Sequence, residues 1–356
     1  MTPKTHNLRV TSMEALTSPT DLSAQLPLTD ASALTVQAGR QSVQRILSGE
    51  DDRLIAIVGP CSIHDPEAAL EYARQLQGLR VELADTLEIV MRVYFAKPRT
   101  IGGWKGLIND PRLDGSFRIN EGLRMARSLL LKINDMGLPA GTEFLDTSVP
   151  QYIADLVSWA AIGARTTESQ IHREMASGLS CPVGFKNGTR GSIQIAVDAV
   201  RSAAQGHHFM GVTDGGQAAI VATEGNPDCH IILRGGRGSN YDAASVDAAC
   251  HMCQSGGITP QVMIDASHAN SGKQPERQPE VLEYVGAQIA RGDHRVVGVM
   301  VESHLVSGAQ SITADRLVYG QSVTDGCLGW NETAAALRTL ANDLARRRVQ
   351  GMRRAS

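Results

Sequence analysis

Neither sign of charge dominates this chain: 34 basic residues stand against 37 acidic ones, a net charge of −3 over 356 residues. That balance provides no broad field for nucleic acid or an anionic membrane, so any cations used in binding must be gathered locally. Long apolar runs are missing too. None approaches the roughly 20 residues of a membrane span, and the opening MTPKTHNLRVTS lacks the apolar core of a secretory signal, so a cytoplasmic location is expected. Cysteine is sparse: the six are scattered along a chain long enough to need no stapling, and reduced thiols are expected. What the chain does have is core-forming material. Its 42% hydrophobic content and its length sit at the upper end of what one α/β barrel occupies.

The stretch Ala160 to Gly191 carries the first structural signal. Ala160 to Ala164 is small and apolar and stops at Arg165, Pro182 to Phe185 stops at Lys186, and Glu168 to Leu179 between them has helical spacing. A parallel strand, helix, strand unit puts both strand ends on one edge, so Arg165 and Lys186 would face a common pocket suited to an anion such as phosphate.

The same alternation runs through most of the chain. Residues 1–50 read as an arm followed by a helix over Ala33 to Leu47 with Ser32 as its cap. Apolar strands are expected at Leu54 to Val58, Leu87 to Val93, Leu138 to Phe144, His230 to Leu233, Gln261 to Ala266 and Val296 to Val301, besides the two above. Helical patterns separate them, at Pro66 to Leu83 behind Asp65, Ile119 to Met136, Pro150 to Trp159, Ile193 to Ala204, Ala243 to Gln254, Glu280 to Ala290 and finally Glu332 to Arg348. Asp214-Gly215-Gly216, flanked by apolar runs, marks an antiparallel hairpin inserted at about 207–224. The expected fold is a (β/α)8 TIM barrel over 51–356 with an N-terminal extension and an inserted hairpin. FAKPRTIGGWKGLINDPRLDGS is too long and too rich in Gly and Pro for a mere connection and reads as a lid or clamp. Arg346, Arg347 and Arg348 read as a solvated helical terminus.

Catalytic sites in this fold are built where strands finish. Those ends present Cys61, Arg92, Glu143, Arg165, Lys186, Arg234, His268 and Glu302, with Lys97 just past the second and Asp325 past the eighth. Arg92, Lys97, Arg165, Lys186 and Arg234 exceed what one phosphate needs, which points to at least two anionic groups. Cys61, His268, Glu302 and Asp325 offer S, N, O and O donors suited to a divalent transition ion. Taken singly, His268 reads as a core histidine and Cys61 as an inert thiol; together at strand ends they favour a metal.

GPCSIHDP, MRVYFAKPRT, GWKGLINDP, EFLD, GARTTESQIHREMASGLSCPVGFKNGT, HIILRGG, MIDASHAN, VMVESHL and VTDGCLGW, in that order from about Arg53 to Trp330, resemble the type I 3-deoxy-D-arabino-heptulosonate 7-phosphate (DAHP) synthases. The resemblance implies condensation of phosphoenolpyruvate with erythrose 4-phosphate and release of phosphate, the first step of the shikimate pathway. It places phosphoenolpyruvate on Arg92, Lys97, Ala164, Arg165, Lys186 and Arg234. Erythrose 4-phosphate falls on Lys97, Pro98, Arg99 and Thr100, with Lys105 and Glu143 close by, and a divalent ion (Mn, Fe, Co or Zn) on Cys61, His268, Glu302 and Asp325. The enol carbon attacks the aldehyde, water adds to the resulting cationic centre, and phosphate leaves by C–O cleavage. Lys97 is the candidate proton donor to the new alkoxide, with a pKa expected to be lowered by neighbouring cations. The sequence departs from the family pattern at Ala96 (Glu in the family), Arg190 (Asp) and Gly102 (a bulkier residue).

The resemblance also implies feedback inhibition by an aromatic amino acid, with Pro150, Gln151, Ser180, Gly211 and Val221 at the effector pocket and tyrosine favoured by the room at Gly211. A homodimer or homotetramer is implied as well, with no nucleic-acid or membrane partner. Competing readings are a related synthase using arabinose 5-phosphate, against which KPRT argues, a Schiff-base aldolase with Lys186 as nucleophile, and a non-catalytic sensor of aromatic amino acids.

Overall fold

A computed structural model of the chain describes residues 3–314 and 316–355. The arm leads into two helices, α1 (Pro19–Gln25) and α2 (Asp30–Ser48). The first was not anticipated, and the second begins earlier than its apolar spacing suggests. Thr29, not Ser32, is the N-cap: its hydroxyl accepts from Ser32 N, while Ser32 lies buried inside the helix.

From there strands and helices alternate. In order come β1 (Leu54–Gly59), α3 (Pro66–Glu82), β2 (Leu87–Arg92), α4 (Ile119–Asp135), β3 (Ala140–Glu143), α5 (Pro150–Ile153), β4 (Trp159–Ile162), α6 (Gln170–Ser177), β5 (Val183–Lys186) and α7 (Gln194–Ala203). The hairpin β6 (His208–Val212) and β7 (Ala218–Ala222) interrupts. The alternation then resumes with β8 (Cys229–Leu233), α8 (Ala243–Ser255), β9 (Val262–Asp265), α9 (Gln278–Ala290) and β10 (Val296–Glu302). A small pair, β11 (Val306–Ala309) and β12 (Gln321–Ser322), precedes the last helix, α10 (Trp330–Ala355). The expected helix over Pro150 to Trp159 is therefore much shorter: a 3-10 turn follows α5 at Ala154–Leu156, and Trp159 opens β4. No helix among the described residues is long and apolar enough to cross a membrane.

Eight parallel strands close the barrel in the order β1-β10-β9-β8-β5-β4-β3-β2. Their near-continuous aliphatic runs follow from burial on both faces; β1, β2 and β10 are buried at every position. Helix starts are fixed locally, as where Asp65 accepts from Glu67 N at 2.9 Å and Ala68 N at 3.2 Å ahead of Pro66. α4 buries Leu123, Ala126, Leu130 and Ile133, a helical stripe, against the outside of the sheet.

The barrel interior forms a separate apolar cluster in which Ile55, Ile57, Val90, Trp159, Ile232, Met263 and Met300 meet Val43, Ile46 and Leu47 of α2. α2 thus plugs the floor of the barrel, the end away from the strand termini. Arg40 ties it down through Nε to Val157 O (3.0 Å) and Nη2 to Ala154 O (2.7 Å), and a Cβ on Gly39 would lie 2.7 Å from Ser158 Oγ. The C-terminal arginines hold the same end. Arg348 Nε donates to Asp52 Oδ2 at 2.7 Å and Arg347 Nη2 to Asp52 O at 2.6 Å, so this stretch is a clamp as well as a solvated terminus.

The interior packing makes a measurable statement. A Cβ at Gly184 would sit 2.5 Å from Ile232 Cδ1 and 2.8 Å from Trp159 Cζ2. Gly184→Val is expected to overpack the barrel and lower stability by about 1–3 kcal/mol, read from the urea midpoint; an unshifted midpoint would show a looser interior than described.

Candidate active site

Each strand end delivers a side chain to one rim because parallel strands all finish on the same side. The resulting cleft has a volume of about 410 Å³, and Arg92, Lys97, Arg165, Lys186 and Arg234, the five expected cations, all line it. Pro98, Arg99, Glu143 and Ala164 line it too, as do His268, Glu302 and Asp325. Thr100 and Lys105 do not share this lining. Thr100 is exposed in the long loop, and Lys105 is exposed and contributes its backbone carbonyl, which accepts from Lys97 N at 2.9 Å.

Three of the cations, Arg92, Lys97 and Lys186, are buried, and Arg92 and Lys186 each meet a carboxylate from the next strand but one around the barrel. Arg92 Nη2 lies 2.8 Å from Glu302 Oε1, with the two side chains 1% and 2% exposed. The Arg92 guanidinium also lies over the Tyr94 ring, 3.5 Å from its centroid. Lys186 Nζ lies 2.8 Å from Asp265 Oδ2. Burial opposes ionisation of Asp265, but Lys186 and His268 outweigh it and hold the carboxyl well below its usual range. Glu302 behaves alike: burial opposes its charge, and Arg92, His268 and Lys97 more than restore it. Arg165 is exposed at the mouth, where its Nη1 donates to Pro98 O at 3.2 Å.

The ligand-type residues assemble beside these pairs. Cys61, Glu302 and Asp325 each place one donor atom within 4.8 Å of the others, and Cys61 Sγ is 3.7 Å from Asp325 Oδ2. His268 joins through Nε2, 3.9 Å from Glu302 Oε1. Its Nδ1 is engaged by Asp265 Oδ2 at 2.9 Å and Ser267 Oγ at 2.7 Å, the outer-shell arrangement that orients a ligating imidazole. His268 adopts the left-handed backbone conformation, φ +58°, in a turn closed by Lys273 N donating to His268 O at 2.6 Å. The mixed S, N, O, O donor set fits a divalent transition ion.

Lys97 overturns one expectation. Burial alone would lower its pKa, but Cys61, Glu302 and Asp325 outweigh it and hold the ammonium above the ordinary lysine range. Its Nζ lies 2.9 Å from Cys61 Sγ and 3.9 Å from Asp325 Oδ2. The cations counted from the sequence are present, but acidic and thiol groups stand nearer.

Sequence reasoning missed two supports. Asp265 serves both Lys186 and His268; the available signal was an acid at the end of an otherwise apolar strand, VMID. Gln278 clamps the backbone of Glu302, its Nε2 donating to Glu302 O and its Oε1 accepting from Glu302 N, both at 2.9 Å. Nothing in the sequence near Gln278 announces that role.

The five effector candidates come from three stretches of the chain. Pro150 and Gln151 open α5, Ser180 is exposed after α6, and Gly211 and Val221 sit on opposite strands of the hairpin. The arm links these regions, with Thr20 N donating to Asp214 O in the hairpin turn at 2.8 Å and Tyr152 Oη of α5 donating to Thr17 O at 2.9 Å.

Asp265→Asn should leave the Lys186 ammonium buried without its carboxylate and cost about 3–5 kcal/mol, measured by urea unfolding; an unchanged midpoint would remove the pair from the energetic account. The folded Asp265 pKa lies below the unfolded value. Its contribution is therefore complete above the ordinary carboxylate range and is lost only as pH falls through the lower folded value.

The chain is similar to known proteins over nearly its whole length. The DAHP synthetase I family model matches residues 29–338. The chain is 58% identical over 343 residues to the Phe-sensitive phospho-2-dehydro-3-deoxyheptonate aldolase of Escherichia coli K12, covering 96% of this chain and 98% of that one. It is 52% identical over 341 residues to the Tyr-sensitive protein of the same name and organism, covering 95% and 96%. A solved phospho-2-dehydro-3-deoxyheptonate aldolase from Francisella tularensis superposes with a TM-score of 0.94 at 49% identity, covering 95% of this chain and 99% of that one. A match reaching from the helix that plugs the floor into the one that closes the chain leaves the kinship plain: this protein belongs to the DAHP synthetase I family.

Proposed function

We propose that this chain is a 3-deoxy-7-phosphoheptulonate synthase, a transferase that joins phosphoenolpyruvate to D-erythrose 4-phosphate with the help of a divalent ion in the first step of the shikimate pathway. The observation that carries this reading is the convergence of five cations and four ligand-type side chains on one rim. Arg165 and Lys186, at the ends of adjacent strands, suit the phosphate of phosphoenolpyruvate, with Arg234 beside them. Arg92 and Lys97 are buried beside the ligand group and suit its carboxylate. Pro98 and Arg99, on the loop that crosses the mouth, suit the sugar phosphate.

The ion, Mn, Fe, Co or Zn, would be held by Cys61, His268, Glu302 and Asp325, and when bound supplies Lewis acidity toward the aldehyde oxygen. The chain's own groups do the rest. Asp265 and Glu302 fix Lys186 and Arg92, so the charges that grip the enol phosphate need not reorganise as the new C–C bond forms. Lys97, held above the ordinary lysine range by Cys61, Glu302 and Asp325, carries the proton that the alkoxide would receive. Water then adds to the former enol carbon, and phosphate departs with its bridging oxygen into the cationic wall.

The outlying parts support regulation and assembly. Gly211 leaves no room to spare for a side chain, since a Cβ there would lie 2.7 Å from Val221 Cγ2. The absence of a side chain at Gly211 favours tyrosine as effector. Exposed Met210 and Ile220, paired across the hairpin, and exposed Leu8 and Met13 on the arm suit contacts in a homodimer or homotetramer. The setting is the cytoplasm.

Consumption of phosphoenolpyruvate with erythrose 4-phosphate should stop when EDTA is added and return with Mn²⁺; chelator-resistant turnover would sink the metal assignment. Lys97→Met should lower kcat by about 10²–10⁴-fold while both substrates still bind, and unimpaired turnover would exclude Lys97 as proton donor. Titration with each aromatic amino acid should show tyrosine inhibiting at the lowest concentration, and inhibition by phenylalanine alone would refute the preference.

A further inference from the structure

Seven lysine and arginine residues line the substrate cleft, and the reaction proposed above uses six of them. The seventh is Lys273. It stands on the loop after β9 and is exposed at the mouth. Unlike Arg92, Lys97 and Lys186, it is paired with no carboxylate among the described residues.

The backbone at this position is the anomaly. Gly272 and Lys273 are successive left-handed residues, φ +62° and +61°, in the turn that Lys273 N closes on His268 O at 2.6 Å. Glycine enters that conformation freely, whereas any residue with a Cβ resists it. A second glycine would serve the turn better, so a lysine held there against its preference points to work done by the side chain.

The surroundings say what kind of work. Arg165, Lys186 and Arg234, at the ends of β4, β5 and β8, crowd positive charge on one wall and leave the phosphate no reason to go elsewhere. Lys273 belongs to the wall that carries His268 and Asp325. Pro275, two residues further on, packs against the loop bearing Asp325, where a Cβ on Gly326 would lie 3.1 Å from Pro275 Cγ. The neighbouring lining there is neutral hydroxyl, from Ser271 and Thr324. A single ammonium with three donors among hydroxyl groups suits a hydroxylated carbon chain.

We propose that Lys273 is a specificity-determining residue that donates a hydrogen bond to the C2 hydroxyl of the aldehyde substrate. The inference rests on the reaction proposed above, in which the aldehyde lies toward the ligand group and the sugar phosphate toward Pro98 and Arg99. The hydroxyl beside the aldehyde carbon is then the one that faces the Asp325 wall. The turn that sets His268 also sets this ammonium, because Lys273 N is bonded to His268 O.

The test is initial-rate kinetics of the full chain with Mn²⁺, phosphoenolpyruvate and three aldehydes: erythrose 4-phosphate, its 2-deoxy analogue and its 3-deoxy analogue. Lys273→Met should lower kcat/KM for erythrose 4-phosphate by about tenfold, chiefly through KM for the aldehyde, with KM for phosphoenolpyruvate unchanged. The 3-deoxy analogue should suffer the same loss. The 2-deoxy analogue, which lacks the hydroxyl in question, should be used equally by wild type and variant. Lys273→Gly suits the left-handed turn, so it should fold and show the same pattern. Mn²⁺ affinity, read by paramagnetic resonance titration, should be equal in wild type and both variants. A loss uniform over the three aldehydes, or a weakened Mn²⁺ affinity, would make Lys273 a support of the ligand loop and overturn the proposal, as would a variant with unimpaired kinetics. A wild type that does not turn over erythrose 4-phosphate at all is a distinct result, which removes the reaction itself and this reading with it.

Discussion

Everything at the rim depends on opposing buried cations with carboxylates drawn from alternate strands across the barrel. Arg92 against Glu302 and Lys186 against Asp265 are closed pairs, almost wholly removed from water. A guanidinium or ammonium left alone there would be too costly to keep charged, and the barrel could not concentrate so much positive charge on one face. The carboxylates have second tasks as well. Glu302 faces Cys61 and Asp325, and Asp265 turns His268, so the phosphate-type cations and the metal-type ligands form one network. An alteration to either set is felt by the other.

Most of this was legible because the (β/α)8 fold turns a linear pattern into a spatial one. A polar residue after a short aliphatic run becomes a residue on the rim, and that rule alone gathers Arg92, Glu143, Arg165, Lys186, Arg234, His268 and Glu302 into one cleft. The eight strands were visible because nearly all their residues are buried on both faces, so most are written as short apolar stretches. Elements without that property were harder to see. α1 is seven residues long and mostly polar, β11 and β12 are short and β11 is largely exposed, and Pro150 to Trp159 contains both a broken helix and the first residue of a strand that is equally apolar.

Distances were the other hidden quantity. From the sequence Lys97 stands among cations, yet Cys61 and Asp325 come nearer and reverse the direction of its pKa. The Ser32 cap failed because Thr29, three residues earlier, offers the same hydroxyl chemistry at the right backbone position. Arg347 and Arg348 look like solvent-facing charges in the text and become a fastening once Asp52 is brought against them.

The plug formed by α2 has a consequence for traffic. Val43, Ile46 and Leu47 stopper the tube from beneath, so among the described residues the chamber opens at the top, where the cleft is lined by the strand ends. The reactants and products of the proposed reaction would share that way in and out. The loop carrying Pro98 and Arg99 borders that passage.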